Sequence, residues 1–184
     1  MAHPLNLLKH EHRVIERALR ALEGVCVRLE WGQQVAPEAL LQLVDFMSAF
    51  ADSYHHGKEE MHLFPALQRQ GIRRHGGALE ALEHEHEIES KLASEMRLAL
   101  QEYRSVDPAA RGRFIVAARG YTNHLLSHID KEDSILFRLA DEILDDEDKA
   151  LLMEGFKQAE EEFGAGANEK YDRLASALEQ QWAV

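Results

Sequence analysis

The 184-residue chain carries 33 acidic against 21 basic side chains, a formal charge of −12 at pH 7. That balance, with no basic stripe, excludes a nucleic-acid footprint and an anionic membrane surface as partners. A single cysteine, Cys26, excludes an internal disulfide framework, and no apolar run reaches membrane-spanning length, so a cytoplasmic protein of one domain is expected. The unusual feature is eleven histidines, all before residue 129.

Apolar residues recur at helical spacing almost throughout, without strand-like alternation. The first helix is predicted from about Pro4 to Glu30, ending near Trp31-Gly32. Pro37 suits the first turn of a second, which runs to Gln70 before Gly71; Pro65 lies inside it and is expected to kink it. A third spans about Gly77 to Tyr103, and Asp107-Pro108 reads as N-cap and first residue of a fourth that ends near Asp141. Four long helices with short connections predict an all-α, up-and-down four-helix bundle over residues 1–144. Residues 145–184 form a helical extension: a short acidic helix, then an amphipathic one bearing Tyr171, Leu174, Leu178 and Trp182. That extension is expected to pack on the bundle or on a partner, a second copy of the chain included.

The first and third predicted helices share a phrase, "LKHEHRV" (8–14) and "LEHEHEI" (82–88), offset by 74. The second and fourth share "HHGKEEMHLF" (55–64) and "HIDKEDSILF" (128–137), offset by 73. Repeated histidines and carboxylates on two helix pairs indicate a two-fold arrangement about a shared centre. The second register aligns His55 with His128 and Glu59 with Glu132, giving His-x-x-x-Glu twice, with both side chains on one helical face. Aligning His56 with His128 breaks the Lys and Leu-Phe matches, so His55 is preferred.

Apolar phase places the others. His12 shares a stripe with Leu8, Ile15, Leu19 and Leu22; His86 with Leu79, Leu82, Ala93 and Met96. His128 and Glu132 share one with Phe114, Tyr121, Leu125, Ile135 and Leu139. In the second helix Phe46 and Phe50 widen the apolar face, and the repeat alone selects His55 and Glu59. His10, His56, His84 and His124 read as surface residues. His62 is a candidate for an additional or supporting ligand, and Tyr121 for a core phenol or a hydrogen-bond donor at the site.

Four histidines and two glutamates pointing into one core bring together buried carboxylates that repel and retain a proton, a cost that divalent or trivalent ions remove. Imidazole and carboxylate without a thiolate cluster suit iron, manganese or zinc, with iron favoured.

Through "HEHRVIE", "HHGKEEMHLFP", "HEHEIE" and "HIDKEDSILF", in order on four helices, the chain resembles the hemerythrin-like HHE cation-binding family over roughly residues 5 to 140. The tail "EEEFGAGANEKYDRLA" is also similar to the C-terminal extension of such proteins. The resemblance implies two iron ions in an oxo- or hydroxo-bridged centre, with other divalent metals able to use the same donors. It implies His12, His55, Glu59, His86, His128 and Glu132 as ligands, the glutamates bridging. Oxygen-carrying hemerythrins have His-x-x-x-His in the third helix, whereas Ser90 follows His86 here. Their fourth helix has His-x-x-x-x-Asp, which His128 and Asp133 also satisfy, although the repeat favours Glu132. The missing histidine argues against reversible oxygen carriage. The expected function is to sense, bind or consume oxygen, peroxide or nitric oxide in iron, oxidative or nitrosative stress. A ferritin-like ferroxidase, suggested by Glu59-x-x-His62 and Glu83-x-x-His86, and a bundle with a merely stabilising metal are the alternatives.

Overall fold

The computed structural model describes residues 3–103 and 108–183. The expected N-cap Asp107 lies outside them. Among the described residues every regular element is helical. Helix α1 (Pro4–Glu30) has proline in its first turn, where a missing N–H costs nothing. The second rod begins as α2 (Pro37–Phe46), continues through π-helical stretches at Met47–His56 and Glu59–Leu63, and ends as α3 (Phe64–Arg69). Gly57 and Lys58 join the stretches with right-handed helical backbone. The third rod is α4 (Ala78–Tyr103). The fourth is α5 (Pro108–Lys131), a π-helical Glu132–Leu136 and α6 (Phe137–Ile143). Helices α7 (Asp146–Phe163) and α8 (Ala167–Trp182) form the extension.

The rods close a ring, with α1 against α5 and the second rod, and α4 against α5 and the second rod. The interior divides into two apolar layers. One contains Ile15, Leu19, Phe50, Tyr54, Met96, Tyr121 and Leu125; the other contains Leu8, Leu63, Phe64, Leu82, Leu136 and Phe137. His12, His55, His86 and His128 lie between them in sequence on their respective rods, so a polar layer interrupts the core.

Pro65 ends a π-helical stretch instead of simply bending an α-helix. Phe64 N–H donates to Glu59 O, five residues back, and the equivalent bond in the fourth rod runs from Phe137 N–H to Glu132 O. These two stretches are 73 residues apart, so the repeat extends to the hydrogen-bond register of the backbone. The wide turn inserts a residue into the apolar phase. Consequently Leu136 and Ala140 are buried, while Ile135, expected inside, is exposed.

The extension packs on the bundle. The side chains of Tyr171, Ala175 and Leu178 join the core, with Tyr171 stacked on Phe50 at 4.8 Å. Arg17 and Arg20 of α1 pair with Asp172 and Glu179 of α8. The end of α8 crosses α1 at Gly24, where an added Cβ would lie 1.9 Å from the backbone oxygen of Trp182. Gly24→Ala must therefore displace α8. We expect a loss of about 2 kcal/mol or more in a denaturant melt, against about zero for Gly112→Ala, where a Cβ meets nothing within 4 Å.

Candidate metal centre

Two groups of donor atoms meet in the polar layer, each within 4.8 Å: His12, His55, Glu59 and Glu132 in one, His56, Glu59, His86 and His128 in the other. Glu59 belongs to both. Its Oε1 lies 3.5 Å from His55 Nε2 and its Oε2 lies 3.6 Å from His86 Nε2. Glu132 Oε2 is 3.3 Å from both His12 Nε2 and His128 Nε2, and the Nε2 atoms of His86 and His128 are 3.2 Å apart. Donors on one ion at roughly 2.1 Å stand about 3.0 to 3.4 Å apart in octahedral or tetrahedral geometry. The separations in the layer, 3.2–3.6 Å, are close to that range, so these residues could hold a metal ion.

The backs of the rings are held by carboxylates. Nδ1 of His12 donates to Asp133, that of His55 to Glu11, that of His86 to Glu60 and that of His128 to Glu85, at 2.6–2.9 Å. Such partners fix the tautomer that leaves Nε2 free to ligate. They obey the repeat. Lys58 pairs with Glu11 and Lys131 with Glu85, and both the lysines and the carboxylates are related by the offsets of the phrases that contain them.

The polar layer fits a cation on its own chemistry. The Nε2 atoms of His12, His55 and His56 and both carboxylate oxygens of Glu59 and Glu132 are buried without a hydrogen bond. Burial, and then the neighbouring Glu132, push the Glu59 carboxyl well above its ordinary range. Burial opposes ionisation of Glu132 too, but His128 and His12 outweigh it and hold that carboxyl low. Burial and neighbouring imidazoles keep His55 and His56 neutral. Against the same burial, Glu132 lifts His128 to about 9. Two carboxylates so close repel one another, and a cation between them would remove that cost.

His56, expected on the surface, is 2% exposed and its ring stacks on His86 at 3.9 Å. The reason is the π-helix. Its turn holds more residues than an α-turn, so adjacent side chains diverge by less than the usual angle, and both His55 and His56 point inward. His10 and His84 are exposed, as expected. His124 is partly buried and donates through Nδ1 to Glu89, a fully buried residue without any prior signal in the repeat. His62 faces α7 instead: an added Cβ on Gly155 would lie 2.4 Å from its Nδ1. Glu83 pairs with Arg74. Neither Glu-x-x-His motif projects as a unit into the layer. Tyr121 is buried and its hydroxyl donates to Asp52 at 3.1 Å, and Asp133 supports His12.

Among the described residues no helix is long and apolar enough to cross a membrane. No curated protein and no solved structure matches the chain. The model of the hemerythrin HHE cation-binding domain matches residues 3–140, the four rods that surround the polar layer. The chain belongs to the hemerythrin HHE cation-binding family.

Proposed function

We propose that this chain is a cytoplasmic, non-haem di-iron protein that senses, binds or consumes oxygen, peroxide or nitric oxide. The observation that carries the reading is the division of Glu59 between two donor groups, one oxygen toward each. His12 and His55 serve one position, His56, His86 and His128 the other, and Glu132 stands between His12 and His128. Nitrogen and oxygen donors without thiolate favour iron, since Cys26 is buried in the apolar core. Iron there supplies one-electron chemistry toward a small oxygen- or nitrogen-oxide molecule.

A pocket of about 570 Å³ reaches the second position, lined by Ser90, His56, His86 and Ser53 among others. The residue that replaces the hemerythrin histidine thus leaves an opening where a small molecule can enter. The apolar face of α8 is used on α1, so self-association through α8 would employ its other faces.

Iron loading under anaerobic conditions tests the reading. About two irons per chain are expected, with an absorption change on admitting oxygen that evacuation does not reverse. A reversible change would favour oxygen carriage, and one zinc with no response would favour a stabilising metal. His56→Ala should lower the iron content toward one per chain, whereas His10→Ala and His84→Ala should leave it unchanged. Wild-type iron content in His56→Ala would remove His56 from the ligand set.

A further inference from the structure

The repeat does not account for everything in the polar layer. His56 aligns with Ile129, and Glu89 aligns with Ile15, so both extra polar groups stand on one side of the pseudo-two-fold. Glu89 lies three residues after His86 in α4, on the same helical side. It is fully buried, and its two oxygens have different surroundings. Oε1 accepts a hydrogen bond from His124 Nδ1 at 2.9 Å. Oε2 makes no hydrogen bond and lies 3.5 Å from His56 Nε2, itself unpartnered.

An unpaired oxygen with that setting is expensive to bury. Its separation from His56 equals that of His55 Nε2 from Glu59 Oε1 within the other group. The charge of the centre leads to the same place. Glu59 and Glu132 bring two negative charges to ions that together carry at least four positive ones. The position served by three imidazoles holds the smaller share of them.

We propose that Glu89 is an anionic ligand of the second metal position, together with His56, His86, His128 and Glu59, and that His124 aims it. This rests on the two-ion reading above and extends it. Glu89 offers its donor one residue before Ser90 on the helix and adds a negative charge that an imidazole would not, while the Ser90 side stays open to the pocket. The two positions then differ: one is bound by two imidazoles and the other by three, and Glu89 belongs to the second alone.

The test is an anaerobic ferrous-ion titration of the full chain with a competing chelator, on the wild type, Glu89→Gln and His124→Gln. Glu89→Gln keeps the size of the side chain and removes its charge, and the metal-free variant is expected to melt no lower than the wild type. It should retain the first ion at wild-type affinity and bind the second at least tenfold more weakly. His124→Gln is at a partly exposed position outside the ligand set, so folding is preserved. It should weaken the second ion severalfold and leave the first unaltered. Wild-type affinity for both ions in both variants would overturn the assignment of Glu89 and leave the two-ion reading intact. Equal weakening of both ions would also overturn it, as a structural effect. Fewer than two ions in the wild type would overturn the two-ion reading itself.

Discussion

Replacement of Glu59 by leucine should have opposite effects on the metal-loaded and metal-free protein. Glu59 is the one side chain shared by both donor groups, so its loss should remove high-affinity binding of both ions. Bound metal stabilises the folded state by mass action, by about 4 kcal/mol when free metal is a thousand times its dissociation constant. Glu59→Leu should forfeit that stabilisation, and chelation should no longer shift its melting curve. Without metal, however, the glutamate is a buried group with two unpartnered oxygens beside Glu132. An apolar residue of similar size should leave the metal-free protein as stable as the wild type or more stable by about 1–3 kcal/mol. The difference has a defined pH dependence. The folded-state pKa of Glu59 is raised above the ordinary value of 4.5, so the contribution it makes is present below that value and is lost as pH rises toward the folded pKa. The advantage of Glu59→Leu should therefore widen with pH above about 4.5. Denaturant melts of the chelated proteins at several pH values check this. A metal-free variant that is strongly destabilised at every pH would mean that Glu59 is held by contacts other than metal.

Lys58→Met should produce the largest loss of stability that leaves the donor set itself untouched. Lys58 is 1% exposed, pairs with the equally buried Glu11, and sits over the Tyr54 ring at 3.9 Å. Burial lowers the lysine pKa and raises that of Glu11, and the pair offsets part of both costs. Removing the ammonium leaves buried Glu11 with no charged partner, only the His55 imidazole, for about 3–5 kcal/mol and a melting point lower by roughly 10 °C. Its repeat counterpart offers the control. Lys131 is 47% exposed and pairs with Glu85 near solvent, so Lys131→Met should cost less than about 1 kcal/mol. Lys58→Met combined with Glu11→Gln, which keeps an acceptor for His55 Nδ1, should recover part of the loss. Equal losses at Lys58 and Lys131 would contradict the assigned role of burial.

The bundle was legible because its helices are long, amphipathic and bounded by Pro4, Pro37, Gly32 and Gly71. The inward direction of His12, His86 and His128 followed from apolar phase, which is reliable while the helix keeps its ordinary turn. It failed where the turn widens. The phase of an ordinary helix directs His56 outward and Ile135 inward, because the sequence pattern carries no mark of a π-helical register. The repeat located His55 and Glu59 by symmetry, and for the same reason it was blind to asymmetric groups. Glu89 has an isoleucine counterpart and therefore no echo. The carboxylates behind the rings were within reach: Glu11, Glu60, Glu85 and Asp133 all lie inside the repeated phrases. Their positions make sense only once each imidazole is required to have one nitrogen held and one free.

Two ions that share Glu59 would be magnetically coupled. Magnetic susceptibility of the ferric protein, with iron counted on the same sample, tests it most directly. Two ferric ions joined through Glu59 in one centre should be antiferromagnetically coupled, with about two irons per chain and a susceptibility that falls toward zero on cooling. One iron per chain, or two that retain the full moment of isolated high-spin ferric ions, would contradict the account.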